Sequence, residues 1–484
     1  RQYRRAWVQS RMTMLQARDP RTGQLDYSFA AASRDDIERA ANRLRAAGQD
    51  WQKLGLEGRI ARLTKLADVI GQHRNAIAER LCVDTGRRKI AGREVDGAIG
   101  AIRGWIAQAP HLLPDGWTEG RMNPAIRHAP QFVPYSLVGV ISPWNFPLTL
   151  SMIDTIPALL AGCTVMIKAS EVTPRFVEPL QAAIEEAGLK DVLTFVQGAG
   201  ATGSDLIDHV DAVCFTGSVA TGRKVAAAAA GNMIPAFLEL GGKDPLIILD
   251  TADIELASDA ALRGSVLSTG QACQSIERIY VAKSIHDAFL KKLVEKANAV
   301  RLNWPDIGAG EIGPIIFADQ ADILQRHIDD AVAKGARALT GGQVETHGGG
   351  RWLKPTVLTD VTHDMLVMRE ETFGPILPVM AFDTVDEAIQ LANDTEFGLS
   401  AAVFAGTLEE AEHVGRQIEA GGVSLNDAAL TALFHEAEKH SFKLSGMGGS
   451  RMGPAGFQRF LRRKALIANT GTPAPIGAFS EDAP

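Results

Sequence analysis

The chain has 484 residues, 46% hydrophobic and 22% charged, with a formal net charge of -7. That length and balance suit a soluble protein of about three structural units, and the acidic surplus argues against a nucleic-acid or membrane-surface binder, which needs a basic patch. No apolar run approaches the ~20 residues of a membrane helix, and the N-terminal arginines (Arg1, Arg4, Arg5, Arg11) lack the apolar stretch of a secretory signal, so they read as a solvated arm or the remnant of an organelle-targeting peptide.

In chain order, Ser33 to Ala47 has the spacing of an amphipathic helix, with Ser33 as its cap and Ile37, Ala40, Ala41 and Leu44 on one face. Arg59 to Leu81 repeats that spacing and reads as one packing helix. Gly116 to Pro134 is polar and broken by prolines, which suits a protruding hairpin or linker.

Short apolar strands then alternate with helical stretches. The strands are Leu137 to Ser142, Thr164 to Lys168, Val192 to Val196 and Ala212 to Phe215, with a helix from Pro174 to Ala187 between the second and third. Such alternation implies parallel βαβ units and a doubly wound α/β sheet, whose ligands collect beyond the carboxyl ends of the strands. Asn145, Lys168, Glu171, Gly200 and Gly217 fall at those ends.

Two glycine patterns compete for a phosphate. Gly198 to Gly203 fits GxGxxG, but no acidic residue ends a following strand about 20 residues on. Phe215 to Gly222 also follows a strand and opens a helix, where Gly217 admits close backbone approach and Ser218 with free N–H groups can hold an anion. The second is preferred for a pyrophosphate, with the first walling the adenine side; both could instead be plain turns.

A second α/β region follows Leu238 to Lys243. Its strands are Leu246 to Leu249, Arg278 to Val281, Ile376 to Ala381, Ala401 to Phe404 and Val423 to Asn426, with helices Ile285 to Val300 and Asp319 to Lys334 between them. The last fifteen residues, rich in Pro, Gly and Ala, suit an extended tail. The four cysteines (Cys82, Cys163, Cys214, Cys273) form no CxxC pair and no metal-ligand spacing, which fits thiols in a reducing, cytoplasmic compartment. Taken alone, any of them reads as a small buried hydrophobe, although Cys273 sits in a polar, glycine-bearing segment.

Five motifs occur in one order: PWNFP (Pro143 to Pro147), FTGSxxxG (Phe215 to Gly222), LELGGK (Leu238 to Lys243), GQxC (Gly270 to Cys273) and EETFGP (Glu370 to Pro375). With Asn426 and Ser445-Gly446 after them, the chain resembles the aldehyde dehydrogenase superfamily from about Ile37 to about Ile467. The resemblance implies a Rossmann-like cofactor domain (1–115 and 137–241), a second α/β catalytic domain (242–445) and a small β oligomerisation arm with the C-terminal tail (116–136 and 457–484). It also implies a homodimer or homotetramer.

Carried over by residue, the resemblance makes Cys273 the nucleophile, Glu239 the general base and Asn145 the oxyanion donor. Lys168 and Glu171 would hold the adenosine ribose, Ser218 the pyrophosphate, and Glu371 with Phe373 the nicotinamide half. Ile141, Ser142, Pro143, Trp144, Ser170, Gly200, Phe215, Gly217 and Leu240 complete the implied cofactor set, and no metal is expected.

The implied reaction is oxidation of an aldehyde to a carboxylic acid with NAD, NADP being the alternative. Cys273 would pass through a thiohemiacetal and a thioester, and its site must lower or circumvent the ordinary thiol pKa of ~8.5. Glu239, in an apolar setting, favours hydrolysis over transfer to coenzyme A. The family's FGGxKxSG segment reads here as Lys439 to Gly446, without its aromatic and glycines in place. Phe146 with Ala428, Ala429 and Leu430 would line the substrate path, which favours an apolar or aromatic aldehyde over a dicarboxylic semialdehyde. The competing readings are a relative that acylates coenzyme A, a semialdehyde-specific relative, and a catalytically silent binding protein.

Overall fold

The computed structural model describes residues 13–482; the N-terminal arginines lie outside them. Two parallel-stranded sheets form the body. The first is six-stranded, in spatial order 446–447, 236–239, 212–216, 137–141, 164–168 and 193–196. All its neighbours run parallel except Gly446–Met447, which pairs antiparallel to Leu238–Glu239. Chain order reverses between Leu137–Ile141 and Ala212–Thr216, and in doubly wound sheets a crevice opens at that point.

The second sheet has seven strands, in spatial order 337–338, 356–359, 376–382, 276–282, 244–248, 400–404 and 422–425. Each sheet is apolar on both faces because helices cover both, so its strands read as short continuous hydrophobic runs. Leu137–Ile141 and Ile276–Ala282 are buried at every position. A third sheet joins Leu461–Asn469, Ile126–Pro134 and Thr118–Glu119, the last two pairing antiparallel within the stretch read as a hairpin or linker. Among the described residues no helix is long and apolar enough to cross a membrane.

The first helix, Arg34–Lys53, starts where the sequence suggests. Ser33 accepts from the Asp36 N–H while the Asp36 carboxylate accepts from the Ser33 N–H, a reciprocal cap. It lays Ile37, Ala40, Ala41 and Leu44 on the first sheet.

The expected single helix Arg59 to Leu81 is instead two, Gly55–Gln72 and Arg74–Thr85, broken at His73. Ile70, Ile77 and Leu81 keep one spacing across the break because both helices bury them in the same core, which hides the interruption from periodicity. His73 is held to Glu186 at 2.5 Å. The helix expected from Pro174 begins at Val177. Replacing Ser33 by Ala should cost about 1 kcal/mol locally; amide exchange at Asp36 should then speed up about fivefold, measured by hydrogen–deuterium exchange.

Candidate active site

The segment bearing Cys273 is set by an unusual turn. Helix Ile254–Val266 ends, and Ser268, Thr269 and Gly270 follow with φ of +59°, +60° and +68°. Left-handed φ is rare for residues with a Cβ, so something must hold these in place. Thr269 Oγ1 donates to the Gly313 carbonyl at 2.9 Å, and Gln271 donates from Nε2 to the Pro314 carbonyl (3.2 Å) while its Oε1 accepts from the Ile316 N–H (2.8 Å). A Cβ on Gly270 would lie 2.3 Å from the Gly374 carbonyl, so only glycine lets the turn approach the EETFGP loop.

Asn145 meets this turn from the other sheet. Its Nδ2 donates to the Gln271 carbonyl at 3.0 Å, which leaves one amide hydrogen uncommitted. The Cys273 N–H makes no hydrogen bond among the described residues. Arg87 joins the two loops: Nη2 donates to the Asn145 carbonyl at 2.6 Å, Nη1 bonds Ser268 Oγ, and the guanidinium stacks 4.8 Å from the Phe146 ring centre. Arg87 and its counter-ion Glu94 are both buried, 3.7 Å apart, and Glu94 also accepts from the Thr149 N–H.

Glu239 ends the strand Ala236–Glu239. Ser441 Oγ donates to its Oε2 at 2.7 Å, and Lys439 Nζ stands 3.8 Å from the same oxygen. Burial, and next the Glu371 carboxylate, push the Cys273 thiol up to about 12; Lys439 and Arg451 pull the other way and are outweighed. The expected lowering of this pKa is therefore absent from the protein alone. Cys163 and Cys214 are buried and held protonated as well, and all four cysteines are free thiols.

One cavity of about 800 Å³ joins these groups to the crevice of the first sheet. It is lined by all three expected catalytic residues, Cys273, Glu239 and Asn145, and by every expected cofactor residue. Of these, Ile141, Ser142, Pro143 and Trp144 leave the first strand, Lys168, Ser170 and Glu171 the second, and Phe215, Gly217 and Ser218 the fourth. Gly200, Leu240, Glu371 and Phe373 close it. Ser218 caps helix Val219–Gly231, accepting from the Thr221 N–H, so both glycine patterns border one space. Lys168 Nζ donates to Glu171 at 3.1 Å, and Trp144 stands edge-on to Phe373 at 5.4 Å.

The cavity has a size and lining that fit a dinucleotide: a glycine-led helix N-terminus, a Lys–carboxylate pair and an aromatic edge. Among the described residues no cluster of His, Cys, Asp and Glu could hold a metal ion.

Several contributors escaped the sequence reading. Thr221, Lys224, Val225 and Ala228 line the cavity from one face of a helix, a signal that helical spacing carries. Glu277 holds the EETFGP loop by accepting from the Thr372 and Phe373 N–H groups (2.9 and 2.8 Å), and is itself held by buried Lys243 at 2.6 Å. Burial and the neighbouring Glu277 raise Glu371 to about 8.

The expected apolar substrate lining needs correction. Ala428 is fully buried in the core of the second sheet beside Gly264, while Phe146 is half-buried with Arg87 over one face of its ring. Near Cys273 stand Lys439 and Ser441 on Glu239, and Thr431, whose hydroxyl contacts Gln274.

Two outcomes follow from this geometry. Arg87→Met strands the buried Glu94 charge and should cost about 3–5 kcal/mol, read as a lower thermal midpoint; Arg87→Met combined with Glu94→Gln should recover part of that loss. In the nucleotide-free protein, alkylation of Cys273 by iodoacetamide should accelerate about tenfold per pH unit from about pH 7 to about pH 10 without a plateau, because the thiolate is the nucleophile. Peptide mass spectrometry measures it, and a plateau below about pH 9 would contradict a thiol near 12.

Residues 7–466 match the aldehyde dehydrogenase family model. The solved "Putative Aldehyde Dehydrogenase PutA from Anabaena variabilis" is 53% identical, with a TM-score of 0.94 over 96% of this chain and 99% of that one. The betaine aldehyde dehydrogenase of Staphylococcus aureus, solved in complex with NAD+, is 32% identical, with a TM-score of 0.88 over 97% of this chain and 94% of that one. A "Putative succinate-semialdehyde dehydrogenase" of Mycolicibacterium smegmatis, whose name specifies NADP(+), is 36% identical over 453 residues, 93% of this chain and 87% of that protein. The chain belongs to the aldehyde dehydrogenase family and is an oxidoreductase acting on aldehydes.

Proposed function

We propose that the enzyme oxidises an aldehyde to the free carboxylic acid with NAD, through covalent catalysis at Cys273. The supporting observation is the single cavity in which Cys273, Asn145 and Glu239 meet the crevice of the first sheet. The Cys273 thiol gives up its proton to water in the cavity, its Sγ adds to the aldehyde carbon, and the resulting oxyanion takes hydrogen bonds from the Cys273 N–H and the free hydrogen on Asn145 Nδ2. Fixed donors of this kind typically contribute ~10²–10³-fold in rate. Trp144, Glu371 and Phe373 would hold the nicotinamide half of the cofactor beside Cys273, where it would supply the hydride acceptor and a positive charge that favours the thiolate. The thioester left on Cys273 is attacked by water, whose proton goes to Glu239, and the acid leaves as the Cys273 sulfur regains its lone pair.

Glu171 favours NAD, since its carboxylate would repel a 2′-phosphate; the NADP(+) in the name of the mycobacterial relative keeps NADP as the alternative. Its pairing with Lys168 supports the ribose role given to both. Residues 137–241 with the helices before residue 116 are assigned to nucleotide binding, 242–445 to catalysis, and 116–136 with 457–484 to oligomerisation. Neighbouring Leu466 and Ile467 point to opposite faces of the arm and both stand exposed, which suits assembly into a homodimer or homotetramer. Four free thiols fit a cytoplasmic setting.

The support for an apolar or aromatic aldehyde is reduced to Phe146, Ala429 and Leu430, and the polar groups around Cys273 bring oxygen-bearing aldehydes, semialdehydes included, into consideration.

The test is NADH formation across an aldehyde panel with NAD and with NADP. Cys273→Ala should abolish it, and undiminished turnover by that variant would sink the assignment. Glu239→Gln should give one rapid burst of NADH and then turnover slower by about 10²-fold or more. Obligatory release of a coenzyme A thioester would refute the hydrolytic role of Glu239.

A further inference from the structure

The carboxylate of Glu239 is gripped on one oxygen only. Ser441 Oγ donates to Oε2 at 2.7 Å and Lys439 Nζ lies 3.8 Å from that same atom. Among the described residues no donor reaches Oε1. Lys439 is the stranger of the two partners, with a side chain only 5% exposed and an ammonium that donates no hydrogen bond among the described residues. An ammonium with so little exposure is favoured by an anion close by, and Glu239 is the carboxylate within 4 Å of it among the described residues.

The backbone fixes both partners. The Lys439 N–H donates to Ser450 Oγ at 3.1 Å, and the lysine stem packs where a Cβ on Gly422 would come within 3.2 Å of its Cδ. Downstream, Gly446–Met447 pairs with Glu239 and Leu238, and the Leu240 N–H donates to the Ser445 carbonyl at 2.8 Å. A Cβ on Gly446 would fall 2.3 Å from the Leu238 carbonyl and 2.9 Å from Ser441 Cβ. The segment from Lys439 to Met447 is therefore clamped in register on the strand that carries Glu239. In the FGGxKxSG pattern these two positions hold an aromatic and a glycine, neither able to bond a carboxylate through its side chain.

We infer that Lys439 and Ser441 are positioning residues for Glu239, holding Oε2 so that Oε1 is the oxygen that takes the proton of the hydrolytic water. The inference rests on Glu239 being the base. One hydrogen bond from Ser441 and a cation 3.8 Å away, both on one oxygen, favour a single plane of the carboxylate and reduce the rotamer freedom that would otherwise be lost at each hydrolysis. Ser441 thus acts on thioester hydrolysis, while Lys439, which also favours the Cys273 thiolate, acts on hydrolysis and on the addition of Cys273 to the carbonyl.

Acylation of the full-length enzyme by p-nitrophenyl acetate isolates that step, since it forms an acetyl thioester on Cys273 and releases p-nitrophenol without a nucleotide. Decay of the acetyl-enzyme, followed by quenching and intact mass, should slow about tenfold in Ser441→Ala, the loss expected for a hydrogen bond to a charged group, and also, by less, in Lys439→Met, whose cation stands 3.8 Å from the carboxylate. Where hydrolysis limits turnover, kcat and KM of Ser441→Ala should fall together and its kcat/KM stay at the wild-type value. Lys439→Arg, which keeps the cation, should recover most of the rate. A role of Ser441 confined to packing would instead lower kcat/KM and the p-nitrophenol burst of Ser441→Ala.

Ser441→Ala removes a single oxygen and decides the matter if Lys439→Met does not fold. Wild-type decay in Ser441→Ala and Lys439→Met, with slow decay in Glu239→Gln, overturns the positioning role alone. Wild-type decay in Glu239→Gln overturns the base itself.

Discussion

A single buried guanidinium sets the distance on which this site depends. Arg87 bonds the Asn145 carbonyl with one nitrogen and Ser268 with another, and so ties a loop of the first sheet to the turn that delivers Cys273. Without that tie, Asn145 and Cys273 belong to separate layers, and the 3.0 Å bond from Asn145 to Gln271 would be their main link at this point. A charge so deeply buried is tolerated because Glu94 neutralises it and a ring face covers it. The cost of two desolvated ions is exchanged for a fixed spacing between an amide donor and a sulfur.

The charges around the cysteine divide by element. The EETFGP loop brings Glu371, which opposes ionisation of the thiol, while the segment at 439–451 brings Lys439 and Arg451, which favour it. Arg451 is itself held by Asp154, which sits on the chain just after the PWNFP loop and also bonds Arg459. In the protein alone the balance favours the protonated sulfur. A resting thiol of this kind is slow to oxidise or to meet stray electrophiles, since reactivity follows the thiolate.

Much of this was legible in the amino-acid sequence because it is written locally. A strand followed by glycines and a capped helix, or a cysteine two residues after a glycine and glutamine, is a pattern inside a few residues, and Asn145, Ser218, Glu239 and Cys273 all lie in such patterns. The groups that hold them do not. Arg87 acts on Ser268 across 181 positions, Lys243 on Thr372 across 129, and Ser441 on Glu239 across 202. The short strand Gly446–Met447 pairs only by tertiary context, and the break at His73 is invisible to a spacing that both helices share. Ala428 failed as a lining residue because it packs in the core of the second sheet beside Gly264, a contact across more than 160 positions that no local pattern carries.

The arm sheet has a consequence for the order in which the molecule can be made. Ile126–Pro134 finds most of its partner backbone in Leu461–Asn469, more than 300 residues later. While the ribosome works through the intervening chain, that strand is left with one short neighbour and an open row of amides and carbonyls, the kind of edge that recruits other chains. Its own composition guards it during the wait: prolines at 130 and 134 interrupt the ladder, and Arg127 with His128 places polar bulk at its start. The late strand answers with Arg462, Arg463 and Lys464. Co-translational safety, as much as final packing, is thus inscribed in the residues of the arm.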